Sequence, residues 1–288
     1  MTFQRISILG VGLLGGSIGM AAKSLINNVT IIGYGHRRQT LDKAVQFGAI
    51  DLACDDPAGA VAEADLTILC TPVGLFPQIL DSIQGAVRPG SVVTDVGSTK
   101  KSIVRLAEKK LAQTAHFVGS HPMAGSEKRG VEFARPDLFQ KAICITTPTR
   151  KTNPDALTAV EQFWQTLGMR IVRVDPARHD RLLADVSHLP HALASALIAM
   201  QREEGLELSG KGFLDTTRIA GGDGNLWRDI FLDNRDNLKA SIARLEKQLR
   251  RLKGLLEPGK GAALSRWLEA NATRREELVK RKLREIDA

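Results

Sequence analysis

Cysteine is scarce in this sequence. Its three cysteines, Cys54, Cys70 and Cys144, stand far apart, and no pair has the CxxC spacing of a zinc or redox site. An odd, scattered set gives no disulfide framework and fits a reducing compartment, which predicts a cytoplasmic protein. Uninterrupted apolar runs are short. None approaches the ~18 residues of a membrane span, so no membrane partner is expected. No charged, apolar and small-residue leader precedes the first strand pattern, so no signal peptide is expected. Aromatic residues make up only 5% of the chain. Trp267 is the one aromatic residue in the basic C-terminal stretch, which speaks against nucleic acid as a partner, because single-strand binders interleave cations with stacking rings.

What is present is ordinary globular composition over 288 residues, enough for two domains, with a net charge of +8. Acids are interleaved among Arg274, Arg275, Lys280, Arg281, Lys282 and Arg284, so the tail reads as a solvated helix face. The excess positive charge suits steering of small anions towards a cleft. Short apolar runs alternate with helical patterns through the first half: Arg5–Leu9, Val29–Tyr34, Leu66–Cys70, Val92–Asp95, Phe117–Val118, Ala142–Thr146 and Arg170–Val174 read as strands. This alternation predicts an α/β fold, a doubly wound parallel sheet of the Rossmann type covered on both faces. After Asp175-Pro176 only long helical stretches follow. A boundary is therefore expected near 174, with a dinucleotide-binding domain over 1–174 and a helical substrate and dimerisation domain over 175–288. Helices with apolar faces and no sheet to cover commonly pack against a second copy, so a homodimer is expected.

Gly10-Val-Gly12-Leu13-Leu14-Gly15 is a GxGxxG segment directly after a strand and opening a helix. Its glycines serve the tight turn, the close approach of backbone to a pyrophosphate, and helix–strand packing, while the helix N-terminus favours the phosphates. An acid about 20 positions on would bind a ribose 2′-hydroxyl. Here Gly35, His36, Arg37 and Arg38 stand instead, and arginine can clamp a 2′-phosphate. NADP is therefore expected over NAD, although the arginines would also suit an exposed helix start. Thr71 and Pro72, ending another strand, fall at the carboxyl edge where such sheets bind ligands, or form an ordinary strand-to-helix turn.

Two further strand ends carry polar groups towards that edge. Ser98 follows one, as a helix N-cap or as a partner for a histidine. His121 follows the next, in a Pro/Gly-rich loop with few packing reasons to exist. An imidazole of ordinary pKa near 6.5 suits a general base, and alcohol oxidation needs proton removal coupled to hydride loss. In the helical half, His188 and His191 are three apart on one helix face, and Pro190 predicts a kink that aims His191 at a cleft. No matched carboxylate or cysteine set accompanies them, so no metal site is expected. Arg218, before a glycine pair, reads as a carboxylate clamp or as a structural salt bridge.

The segments Gly10–Ser17 (GVGLLGGS), Asp95–Lys100 (DVGSTK), Gly119–Gly125 (GSHPMAG), Ser187–His191 (SHLPH), Thr217–Ala220 (TRIA) and Trp227–Ile230 (WRDI) together resemble the prephenate/arogenate dehydrogenases of tyrosine biosynthesis. The resemblance implies oxidative decarboxylation of a small dicarboxylate with hydride transfer to a nicotinamide cofactor. It implies His121 as the base on the ring hydroxyl, assisted by Ser98. Arg218 would bind a substrate carboxylate, with His191 and Trp227 at the substrate pocket, in a homodimer joined through the helical half. Two other readings share the two-part plan: a related hydroxyacid or imine dehydrogenase, and a non-enzymatic NADP-binding redox sensor.

Overall fold

The computed structural model describes residues 3–125 and 128–287. Six strands form one parallel sheet: β1 (Arg5–Leu9), β2 (Thr30–Tyr34), β3 (Leu52–Cys54), β4 (Leu66–Leu69), β5 (Val92–Asp95) and β6 (His116–Val118). Their order, β3-β2-β1-β4-β5-β6, is the doubly wound order that reverses beside the first strand. The helices α1 (Leu13–Leu25), α2 (Arg38–Gln46), α3 (Pro57–Val61), α4 (Phe76–Ile83) and α5 (Lys101–Lys110) make the crossovers. Burial follows the two-residue period of the strands. Ile6 and Ile8, Ile31, Leu66 and Ile68, and Val92 enter one core, with Ile18 of α1. Leu9, Ile32, Leu69 and Val93 enter the other, with Phe76 and Leu80 of α4 and Ile103 of α5.

The series does not continue in this sheet, contrary to the expectation from its regular spacing. The chain leaves the sheet at Gly119, where a Cβ would fall 2.5 Å from Thr147 Oγ1. It then builds a separate three-stranded sheet of β7 (Ser120–Pro122), β8 (Ile143–Thr146) and β9 (Arg170–Arg173), with α6 (Pro154–Thr166) between the last two. β7 runs antiparallel to β8, with His121 opposite Ile145. His121 thus lies on a strand rather than in a loop.

Asp175 then caps α7 (Pro176–Leu183) through the Arg178 amide, with proline at the first helical position. A π turn (Ala184–His188) joins α7 to α8 (Leu189–Ala199), so the kink expected at Pro190 takes the form of a π-helical insertion just before it. Among the described residues, Pro176–Ala199 is the one helix with the length and hydropathy of a membrane span. Arg178, Asp180, Arg181 and Asp185 interrupt it. Helices α9 (Glu203–Glu207), α10 (Lys211–Thr217), α11 (Gly224–Asp233), α12 (Arg235–Leu255) and α13 (Gly261–Asp287) follow. The chain divides into two compact units, Met1–Arg235 and Asp236–Ala288. The first contains every residue of the site described next; the second consists of α12 from its second residue and α13.

Candidate active site

The sheet presents its cofactor cradle at the end of β1. Gly10 has φ +109°, and a Cβ there would fall 2.7 Å from the Cys70 carbonyl carbon. Only glycine fits such a turn. A Cβ on Gly15 would meet the Gly10 carbonyl oxygen at 2.2 Å, so α1 closes directly onto the strand end. Around Gly12 the space is open, and Leu13 and Leu14 are half-buried beside it. The Thr71 hydroxyl next to this cradle is buried and has no hydrogen-bond partner among the described residues, while Pro72 is exposed. An open glycine backbone, a free helix N-terminus and an orphaned hydroxyl suit a dinucleotide pyrophosphate.

The turn after β2 carries Gly35, half-buried, and His36, Arg37 and Arg38, exposed. Arg38 is committed: its guanidinium donates to Asp42 at 3.0 Å and to Asp55 at 3.1 Å. The hydrogen bond to Asp42 and the charge of Asp55 raise its pKa further. Of the two arginines expected at a 2′-phosphate, Arg38 is thus shared with two carboxylates, whereas Arg37 has no carboxylate partner among the described residues.

At the β5 end, Asp95 and Lys100 form a wholly buried ion pair. Asp95 also accepts from the amides of Gly97 (2.8 Å) and Ser120 (3.1 Å). Burial pushes its carboxyl up, and Lys100 opposes the shift. The Ser120 hydroxyl donates to the Asp95 carbonyl at 2.5 Å and accepts from Trp164 Nε1 at 3.1 Å. This network ties β7 to the edge of the large sheet and holds His121 there.

His121 is buried, with 8% exposure. Burial, then His179, Lys100 and His188, hold its pKa well below the ordinary value. The expectation of an unperturbed imidazole is corrected accordingly. Its orienting bond is not made by Ser98. His121 Nδ1 lies 2.9 Å from His179 Nε2, and His179 Nδ1 lies 2.8 Å from Asp180 Oδ1. Burial would raise the Asp180 carboxyl, but His179 and the amides of Lys101 (2.9 Å) and Lys100 (2.8 Å) outweigh it and hold it low. Ser98 is half-buried. It caps no helix by its side chain, since α5 has none such, and its backbone faces His188.

On the helical side, Asn234 Nδ2 donates to the Asp180 carbonyl (2.8 Å) and to His188 Nδ1 (3.1 Å). His191 stacks on Trp227 with ring centroids 3.6 Å apart and planes 14° apart. Its Nδ1 is buried without a hydrogen-bond partner among the described residues. Arg218 opens a 3-10 turn that packs on α8, with its side chain exposed. The site thus brings together His121, Ser98, His188, His191 and Trp227. Sequence reasoning missed His179, Asp180 and Asn234. The adjacent His179-Asp180 pair, directly after the Asp175-Pro176 helix start, was the one signal available.

Fold and site together define a class: dehydrogenases that hold a nicotinamide dinucleotide on a doubly wound sheet and complete the site with helices from the second half of the chain. Family models described as "Prephenate dehydrogenase, nucleotide-binding domain" and "Prephenate dehydrogenase, dimerization domain" match residues 18–173 and 175–270. The chain is 33% identical to the cyclohexadienyl dehydrogenase of Zymomonas mobilis, over 87% of this chain and 88% of that one. It is 35% identical to a prephenate dehydrogenase of Bacillus subtilis, over 82% of this chain but only 65% of that longer one. The crystal structure of prephenate dehydrogenase from A. aeolicus, in complex with hydroxyphenyl propionate and NAD+, superposes with a TM-score of 0.90 at 34% identity, covering 96% of this chain and 99% of that one. The chain belongs to the prephenate dehydrogenase family.

Proposed function

We propose that this enzyme oxidatively decarboxylates prephenate, arogenate or both, with hydride transfer to NADP in preference to NAD, in the tyrosine branch of aromatic biosynthesis. The observation that carries the reading is a buried, neutral His121 backed by His179 and Asp180 at the sheet edge that also bears the cofactor cradle. A bound nicotinamide dinucleotide supplies the hydride acceptor. His121 takes the proton of the ring hydroxyl as hydride leaves the same carbon. The bond to the ring carboxylate then breaks, its electron pair completes the aromatic ring, and carbon dioxide departs. One base and accurate positioning are sufficient. Ser98 assists His121. Arg218 grips a carboxylate. The flat wall of His191 on Trp227 receives the ring.

Gly35 and Arg37 support NADP, since the segment Gly35-His36-Arg37-Arg38 carries no acid of its own to repel a 2′-phosphate. Residues 1–174 bind the dinucleotide, and 175–288 supply the substrate side and the homodimer contact, a division supported by the two matched family models. The three free thiols suit the cytoplasm. An assay of both substrates with both cofactors, followed by absorbance of the reduced cofactor, tests the reading. Turnover is expected with at least one substrate, faster with NADP. No turnover in any of the four combinations overturns it.

A further inference from the structure

Asp180 is an obligate acceptor in this site. Its two oxygens take the backbone N–H groups of Lys100 and Lys101 at the start of α5, and Oδ1 also meets His179 Nδ1. An ionised carboxylate has no hydrogen to give, so His179 carries its proton on Nδ1 and offers a lone pair at Nε2. The next contact, 2.9 Å away, is His121 Nδ1. That nitrogen therefore donates, and the lone pair of His121 is fixed on Nε2.

We propose that His179, held by Asp180, is the positioning residue that sets the tautomer of His121 and receives charge from it during turnover. The inference rests on His121 being the base of the proposed dehydrogenase. In the step, the substrate O–H bond breaks and its proton joins His121 Nε2. The Nδ1 proton of His121 passes to His179 Nε2. Hydride leaves the substrate carbon for the nicotinamide, and the ring carboxylate departs as carbon dioxide with its bonding electrons retained by the ring. The positive charge ends on His179, against the Asp180 carboxylate, rather than on His121. Without the transfer, an imidazolium would remain on His121, which its burial disfavours most and Lys100 besides.

The groups facing this pair are few. Asp95 and Lys100 come from the β5 end, Asp180 from α7, and His188 from the π turn. Lys100 is already paired with Asp95. Among the described residues Asp180 is thus the one carboxylate hydrogen-bonded to either ring, and protonation of the pair is drawn towards His179.

Two measurements test the proposal on the full-length protein. The first needs no substrate: nitrogen-15 imidazole spectra of histidine-labelled protein, assigned by the signals lost in His121→Asn and His179→Gln. Both rings are expected as Nδ1–H tautomers at neutral pH. An Nε2–H tautomer at His121 overturns the relay even if the enzyme turns over, and this result is independent of which substrate the enzyme uses. The second is the pH profile of His179→Gln. The amide can still accept from His121 and donate to Asp180, but it cannot hold the proton. Turnover is expected to fall roughly 10- to 100-fold with KM for substrate and dinucleotide little changed. The acid limb of kcat/KM should move to lower pH, because the charge must then stay on His121, one ring further from Asp180. A lower melting temperature with an unmoved acid limb would make His179 a packing residue only and overturn the proposal.

Discussion

A deeply buried histidine gives up its charge, and His188 does so within this site despite the Asp180 carboxylate. Its ring is wholly buried, and burial lowers its pKa from 6.5 to about 4. The unfolded chain still takes up a proton near 6.5, so between those values the unfolded state binds more protons than the native one. Stability is therefore complete above about pH 6.5 and falls as pH drops towards 4, by on the order of 3 kcal/mol for this ring. His121, His179 and His191 shift in the same direction. Asp180, held low, is lost only in stronger acid. Melting curves from pH 7.5 to 4.5 should show this decline, and His188→Gln should flatten it; an equal slope in the variant would rule out the ring as the source. Gly222 gives a second residue-scale test. A Cβ there would fall 2.6 Å from Trp227 Nε1 and 3.0 Å from His191 Cε1. Gly222→Ala should part the stacked rings and raise substrate KM by about tenfold, or roughly 1.4 kcal/mol, whereas an unchanged KM would show that the stack is no part of the substrate wall. His121 was legible in the sequence because a lone histidine beside glycine and proline at a strand end has little structural use. His179 was not. Nine residues separate it from His188, which at about 100° per residue puts the two on opposite faces of an ideal helix. The π turn between them shifts that phase, and no periodicity in the sequence announces it.

Among the elements, the turn from β2 into α2 is where the proposed preference for NADP over NAD is tested. A Cβ at Gly35 would meet only Leu41 among the described residues, at 3.4 Å, which is ordinary contact. Gly35→Asp should therefore fold, repel a 2′-phosphate and accept a ribose hydroxyl. The ratio of kcat/KM for NADP over NAD should fall by about tenfold or more, since that needs only ~1.4 kcal/mol. Arg37→Ala should lower the same ratio, and Arg38→Ala should do so less, its guanidinium being tied to Asp42 and Asp55. Equal NADP and NAD efficiency in the wild type would remove the basis for both. The strands of the parallel sheet were readable as apolar runs because both faces of each are covered. β3 escaped notice because it is three residues long and its Leu52 is half exposed. β7 escaped because Ser-His-Pro has poor strand composition; its pairing with β8 and the Ser120 network make it a strand.

At the scale of the whole molecule, the C-terminal helices carry an exposed apolar seam. Leu238, Ile242, Leu245, Leu249, Leu252 and Leu256 recur at alternating spacings of four and three along and just past α12. That is the seam of a packed helix pair. Only Leu238 of the six is buried, while Ile242, Leu249 and Leu256 are exposed. Along α13, Leu268, Leu278, Val279 and Leu283 are exposed too. Two helices with so little buried have no core of their own, and a seam of this kind exposed to water marks an interface. In a twofold dimer the same residue serves on both sides, so one substitution counts twice. Burying a leucine is worth about 1.5–3 kcal/mol. Leu249→Lys should then weaken the dimer by roughly 3–6 kcal/mol, or about 10² to 10⁴ in Kd. Light scattering should give twice the 31.3 kDa chain mass for the wild type and a value approaching one chain for the variant at micromolar concentration. A wild-type protein that runs as a single chain, or a variant that stays dimeric, would mean the seam is not where the copies meet.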